Sequence, residues 1–144
     1  MWSVIASAFG KIILLPAGGG NCTFFDPNEA GVDAAIAAAV SYDGIYGPYP
    51  VEIAMTHVIT IPTGVRVRDL NLAFDCGGVA ITLSDYVELN HCKIVNDGTG
   101  AGSAWAVDAR DVRDVKIINT YITALNASQN IGALLRGVAE DHGP

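Results

Sequence analysis

Three stretches of the chain share one pattern: VRVRDLNL (65–72), VELNHCKI (87–94) and VKIINTYI (115–122). In each, a valine is followed by an aliphatic residue two positions later, by Asp, His or Asn at the fifth position, and by Leu or Ile at the eighth. The offsets are 22 and 28 residues. Such a period is typical of a solenoid, in which each coil buries its apolar face on the next. Stacking predicts two buried columns, each with one residue from every repeat: Val65, Val87 and Val115, and Leu72, Ile94 and Ile122.

The polar residue of each repeat marks a corner between two short strands. We expect Asp69, His91 and Asn119 to stack outside the core, where their side chains can satisfy backbone groups of the turn. The longer second interval contains DGTGAGS (97–103), which predicts that about six extra residues loop out there.

Short β-rich segments surround the repeats from Val51 onward, each ended by Gly, Asn, Asp or Pro. No helical pattern separates them, so ordinary βαβ units are excluded. Hairpin dipeptides occur only at Asp43-Gly44 and Asp97-Gly98, which gives a β-sandwich little support. The predicted strands are VEIAM (51–55), HVITIP (57–62), VRV (65–67), LNLAF (70–74), VAITL (79–83), VEL (87–89), KIV (93–95), WAVDA (105–109), VKII (115–118) and YITAL (121–125).

One helix is predicted before the strands, over residues 27–40. Asp26 is placed to cap it, Pro27 suits its first position, and Glu29 completes a capping box. Its apolar residues form a single stripe, so it should lie against the core. A Tyr/Gly/Pro stretch follows, which is either a packed irregular connection or an aromatic platform for a ligand. Its tyrosines are Tyr42, Tyr46 and Tyr49.

The first fifteen residues, MWSVIASAFGKIILL, are apolar except for Lys11. The run is too short for a transmembrane helix of about 20 residues, and its layout does not fit a secretory signal. We expect an apolar arm that packs on a partner and can be removed without unfolding the solenoid. Within it, residues 11–15 should form a strand that ends at Pro16, before a glycine hinge at 18–20.

The composition excludes several classes of protein. Of 144 residues, 51% are hydrophobic and only 16% charged, and the net charge is −7. A disordered acidic tail and a broad nucleic-acid-binding surface are both excluded, because the first needs few apolar residues and the second needs clustered cations. The scarcity of charge suggests that other subunits cover part of the surface. The odd set Cys22, Cys76 and Cys92 is typical of reduced thiols in a protein assembled in a cytosol.

The repeated V-x-I-x-N-x-x-I pattern resembles the right-handed parallel β-helix of the pectate-lyase-like superfamily. The alanine-rich DAAIAAAV (33–40) and the segment HVITIPTGVRV (57–67) resemble the opening of those domains, so the resemblance covers about residues 30–136. It implies an all-β fold with one N-terminal capping helix, a short right-handed parallel β-helix of about three to four coils. The implied divisions are an arm and hinge (1–25), a capping helix and connection (26–50), the β-helix (51–136) and a C-terminal tail (137–144).

Asp75 and Asp97 are the candidate catalytic residues, because each follows its repeat's valine by ten positions. Stacked coils would bring them about 4.8 Å apart, close enough to raise one carboxyl pKa or to hold Ca²⁺. The alternative is that both residues cap turns and face water. The catalytic motifs of the family's galacturonan hydrolases are absent from this sequence. We therefore expect no activity on polysaccharides, no cofactor and no metal.

Other motifs predict no chemistry. The alternating charges of residues 108–114 are typical of a solvated ladder of ion pairs. The glycines at 98, 100 and 102 do not have the spacing of a nucleotide loop. The histidines, which are His57, His91 and His142, lack partners at metal-ligand spacing.

The family includes bacteriophage tailspikes and other virion surface proteins as well as secreted polysaccharide lyases and hydrolases. The resemblance therefore implies a non-catalytic phage structural protein, either a capsid decoration or cement protein or a tail-associated one. It would be assembled in the host cytoplasm, form a homotrimer, and contact virion proteins such as the major capsid protein. Nucleic acid and membrane are not expected as partners, whereas a surface glycan is possible. The alternatives are a small polysaccharide lyase or hydrolase and a glycan-binding module.

Overall fold

The computed structural model describes residues 2–98, 104–125 and 130–137. The chain is mostly β-structure with parallel sheets, as predicted, and it has two helices where one was predicted. The elements, in chain order, are α1 (Trp2–Phe9), β1 (Ile12–Leu15), β2 (Thr23–Phe25), α2 (Glu29–Ala38), β3 (Gly44–Tyr46), β4 (Glu52–Met55), β5 (Ile59–Ile61), β6 (Arg66–Arg68), β7 (Asn71–Phe74), β8 (Gly78–Leu83), β9 (Glu88–Asn90), β10 (Lys93–Asn96), β11 (Ala104–Val112), β12 (Lys116–Ile118), β13 (Tyr121–Ala124) and β14 (Asn130–Gly137).

The strands form three sheets, and from β3 onward each successive strand belongs to the next sheet in turn. Sheet I has the order β12-β9-β6-β3-β1-β2, sheet II the order β13-β10-β7-β4, and sheet III the order β14-β11-β8-β5. All pairs among β3–β14 are parallel, whereas β1 pairs antiparallel with both β2 and β3. The ten strands predicted beyond Val51 are all present, within a few residues of their predicted bounds.

The repeat sets the register of the sheets. Arg66 pairs with Glu88 and Glu88 with Lys116, which places the three repeat valines side by side. In sheet II, Leu72, Ile94 and Ile122 are direct partners. The predicted alignment of the repeats is therefore confirmed.

The burial of these columns changes along the chain. Val65, Leu72, Val87 and Ile94 are almost fully buried, as predicted. The prediction was wrong for Val115 and Ile122, which are only partly buried. Both lie at or beside β12 and β13, which form the outer edges of their sheets within the described residues.

The extra residues of the longer interval are divided between two places. Gly78 pairs with Ala104, an offset of 26, whereas Glu88 pairs with Lys116, an offset of 28. Four residues are thus added before β11 and two between Asp108 and Arg113, since Thr82 pairs with Asp108 and the Tyr86 N–H donates to the Arg113 carbonyl. The prediction that all of them loop out at 97–103 was wrong, because the strand itself absorbs two.

Helix α2 is shorter than predicted and has a different cap. It spans Glu29–Ala38, and the Asn28 side chain accepts a hydrogen bond from the Gly31 N–H at 2.8 Å. Asp26 does not cap it, because the helix begins at Glu29 and Asn28 holds the cap position. The Asp26 carbonyl instead packs so closely on Gly31 that any Cβ there would clash. Val32 and Ala35 face the core as expected.

The N-terminal segment contributes to the core of its own chain. Strand β1 lies where residues 11–15 predicted it, and Ile12 and Ile13 are 0% exposed. The expectation that residues 11–15 belong to an arm that packs on a partner is therefore wrong for this strand, which pairs with β2 and β3 of its own chain. Helix α1 was not predicted, and its Val4 and Phe9 are exposed.

Candidate functional site

A shallow groove of about 710 Å³ runs over the outer face of sheet II. Residues alternate across each strand, so Ile94 and Asn96 point inward while Lys93 and Val95 point into the groove. The register brings the outward residues into rows across the sheet. The first row is Glu52, Asn71, Lys93 and Tyr121, and the second is Ala54, Ala73, Val95 and Thr123.

Two of the predicted corner residues, His91 and Asn119, line one end of the groove. Asp69, His91 and Asn119 lie in one column, and all have the left-handed backbone conformation, with φ of 58°, 52° and 47°. This confirms the predicted corner, because Asp, Asn and His adopt this conformation more readily than most residues. Unlike its neighbours, Asp69 is buried, and it accepts a hydrogen bond from His91 Nδ1 when that nitrogen carries the proton.

Aromatic rings flank the corner. The Tyr49 ring lies on the His91 ring, with centroids 4.6 Å apart, and Lys93 Nζ lies 5.9 Å from the centre of the Tyr121 ring. Tyr121 is 60% exposed. The surface thus offers apolar ring faces beside hydrogen-bonding groups of both charge signs.

The candidate pair Asp75 and Asp97 lies at the other end of the sheet. Phe74 pairs with Asn96, so the two aspartates occupy neighbouring positions directly after the paired strands β7 and β10, as their spacing predicted. The Asp97 N–H donates to the Phe74 carbonyl at 2.8 Å, and the Asp75 N–H donates to the Met55 carbonyl at 3.2 Å. Only Asp97 of the pair lines the groove.

Asn96, which sequence reasoning did not single out, holds this end of the groove in place. Its side chain is fully buried, and its Oδ1 accepts the Cys76 N–H at 3.2 Å. Its Nδ2 donates to the carbonyls of Trp105 at 3.1 Å and Gly78 at 3.4 Å. The amide therefore joins the turns of two coils directly beside Asp97.

The cysteines are poorly suited to act as nucleophiles. Burial raises the pKa of the Cys92 thiol to about 11, and burial also raises the pKa of Cys76. A raised pKa lowers the fraction of thiolate, which is the reactive form. Cys22 is partly exposed.

A second titratable cluster joins α2 to the turn between β4 and β5. His57 Nε2 lies 2.8 Å from Asp33 and its Nδ1 lies 3.1 Å from Glu29, while Thr56 donates to Glu29 through its N–H and its hydroxyl. The hydrogen bond to Asp33 raises the pKa of His57, and the backbone N–H of Thr56 lowers the pKa of Glu29. This cluster attaches the helix to the sheets.

The remaining predicted features have structural explanations. Arg110 binds Asp108 through two hydrogen bonds of 2.8 and 3.0 Å and packs over Trp105, which is one ion pair of the predicted ladder. The glycine loop beyond Gly98 and His142 lie outside the described residues. Within the described part of the chain, no group of three His, Cys, Asp or Glu residues is arranged to hold a metal ion, and neither helix is long and apolar enough to cross a membrane.

No protein-family model matches the chain, and no match was found among curated proteins or solved structures.

Proposed function

We propose that the three sheets are the faces of a short right-handed parallel β-helix of three to four coils. The support is the order of the strands: every third strand from β3 onward pairs in parallel with the one before it in the same sheet. The constant offset of 22 residues between β3, β6 and β9 is the length of one turn of such a helix.

On this fold, the chain serves as a non-catalytic structural protein of a bacteriophage particle, either a capsid decoration or cement protein or a tail-associated one. The observation that carries this proposal is the partly open core of the last coil, at Val115, Ile117 and Ile122. Apolar residues at a solenoid end favour contact with another surface, as in an assembly. The resemblance to tailspike β-helices supports a virion and a homotrimer.

The experiment is to purify particles from an infected or induced culture that carries the coding sequence, and to measure the chain in them by quantitative mass spectrometry. A virion protein should be present in many copies per particle and remain bound through a density gradient. Light scattering of the purified chain should give three times the 15.0 kDa of one chain. Recovery of the chain only from the particle-free fraction would contradict the proposal.

A second candidate function is glycan binding in the groove on sheet II. The specific observation is the pair of rings, Tyr49 and Tyr121, beside Lys93 and Asp97 in one cavity. Ring faces stack on sugars while charged groups bind hydroxyls, which is the usual composition of a ligand site. The related alternative is a small lyase or hydrolase that cleaves the bound glycan, with Asp75 and Asp97 as its catalytic residues.

Titration with acidic and neutral oligosaccharides, with and without Ca²⁺, tests whether the groove binds or cleaves glycans. Binding that Tyr121→Ala weakens at least about tenfold would establish it, since an exposed aromatic anchor is a usual hot spot. Product formation that disappears in Asp97→Asn would instead establish the enzyme. Absence of both binding and products would remove this candidate.

A further inference from the structure

A second column of residues in the left-handed backbone conformation lies where the strands of sheet I begin, whereas the predicted corner lies where these strands end. It contains Tyr42, Gly64, Tyr86 and Asp114, with φ of 73°, 76°, 61° and 49°. Hydrogen bonds of 2.8–2.9 Å join it from coil to coil, from Tyr42 N–H to Gly64 O, from Gly64 N–H to Asp85 O and from Tyr86 N–H to Arg113 O.

The tyrosines in this column are not explained by the fold. A bulky residue in the left-handed conformation is strained, and the predicted corner fills the same conformation with Asp, His and Asn. Tyr42 and Tyr86 also gain little from burial, because they are 60% and 45% exposed. Two strained, exposed rings of the same kind at one edge indicate a binding surface.

The two rings share one cavity. Tyr42 and Tyr86 line a space of about 410 Å³ together with Arg66, Glu88, Lys116 and Asp114. Gly64 occupies the position between Tyr42 and Tyr86 in this column. Because glycine carries no side chain, a gap separates the two tyrosine side chains. Since coils stack about 4.8 Å apart, the tyrosine backbones are roughly 9.6 Å apart along the coil axis.

That separation matches a polyproline II helix, which repeats every three residues at about 3.1 Å per residue, or roughly 9.3 Å. Aromatic-lined grooves bind proline-rich segments in this conformation because the ligand is already ordered before it binds. A ligand lying along the coil axis would place successive proline turns on Tyr42 and Tyr86.

The charged side chains that line this cavity favour one orientation of a bound ligand. Arg66, Glu88 and Lys116 are neighbours in register, yet no ion pair joins them in the described part of the chain. Glu88 and Asp114 lie toward the Lys116 end. Beyond Tyr42, an adjoining cavity of about 320 Å³ contains Tyr46 and has Arg66 as its only charged lining residue among those described. An acidic group of the ligand is therefore favoured at the Arg66 end.

We propose that Tyr42 and Tyr86 form a docking site for a proline-rich peptide segment that carries an acidic residue at one end. This site is separate from the groove on sheet II and does not depend on the function proposed above.

Calorimetric titration with three synthetic peptides tests the site: six prolines followed by two glutamates, six prolines followed by two lysines, and a Gly/Ser hexamer followed by two glutamates. The first should bind saturably, and the flexible one at least about tenfold more weakly, because it must be ordered on binding. Arg66→Gln should remove the preference for glutamate over lysine while leaving proline binding in place.

Tyr42→Asn and Tyr86→Asn should each weaken binding at least about tenfold. Both variants should stay folded with an unchanged or higher thermal midpoint, because Asn adopts positive φ more readily than Tyr. Tyr121→Ala, on sheet II, is the matched control and should change the affinity less than about twofold.

Three results would overturn the proposal: no binding by the unmodified chain, equal binding of the flexible peptide, or binding that survives both tyrosine substitutions. Perturbation of the tyrosine ring resonances by maltoheptaose but not by the proline peptide would also overturn it, because the rings would then be a sugar site.

Discussion

The two ends of the apolar core differ in how well other elements of the chain cover them. At the N-terminal end, β1 and α2 cover the core, and Ile12, Val32 and Ala35 are buried there. At the C-terminal end, Val115 and Ile117 occupy the positions of Val87 and Leu89 but are only partly buried. The last strand of a sheet leaves its apolar residues partly exposed unless another element covers them. Among the described residues, β1 and α2 supply such a cover at the N-terminal end.

The largest effect is expected from removing the cover. Deletion of residues 1–16 takes away β1, with the buried side chains of Ile12 and Ile13 and both of its strand pairings. We expect loss of the cooperative unfolding transition, measured by circular dichroism in urea. A truncated chain that unfolds at the same urea concentration as the full chain would show that the two ends are equivalent.

The next effect compares Asn96 with Ala124, which is its register partner in β13. Asn96→Ala should lower the free energy of unfolding by about 2–3 kcal/mol, because it removes the hydrogen bonds that the buried amide makes to the Cys76 N–H and the Trp105 carbonyl. Ala124→Gly is the matched control and should cost about 1 kcal/mol or less. Equal losses, measured by urea denaturation, would contradict this role for Asn96.

Truncation of equivalent valines measures the difference in burial directly. Val87→Ala should cost about 1–3 kcal/mol, because it removes methyl groups from a packed interior. Val115→Ala should cost less than half as much in the isolated chain, because that side chain is partly exposed. If assembly covers the C-terminal end, the two costs should converge in the assembled protein, as measured by the shift in melting temperature.

The smallest effect is a pH dependence at the covered end. The pKa of His57 is raised in the folded chain, so its contribution to stability is present below about pH 6.5 and is lost as the pH rises through the folded pKa. The pKa of Glu29 is lowered, so its contribution is lost as the pH falls below about 4.5. The difference in unfolding midpoint between wild type and His57→Gln should be largest between these limits. A difference independent of pH would contradict the assignment.

The repeated pattern was sufficient to predict most of the core. Valines at offsets of 22 and 28 identified strand partners that pair in the structure, and the polar fifth position identified the corner. Asp75 and Asp97 were placed on adjacent coils for the same reason. These features depend on side-chain type repeated at a fixed interval, which a sequence displays directly.

Other elements carried no such signal. Strands β2 and β3 are three residues long, and their extended form depends on pairing with β1, which no local preference shows. The column of Tyr42 and Tyr86 was missed because tyrosine seldom adopts positive φ, so nothing in the sequence marked it as a corner. The groove on sheet II joins residues from 49 to 125 that only stacking brings together.

The sequence by itself determined the spacing of the paired strands, most of the inward-facing residues and the corner of Asp69, His91 and Asn119, because each is a periodic choice of residue type. Only the tertiary structure decided how the first forty residues cover the core, which strands leave apolar residues partly exposed and where the tyrosines meet. Those outcomes depend on contacts between segments far apart in the chain, whose geometry is fixed only when the sheets have formed.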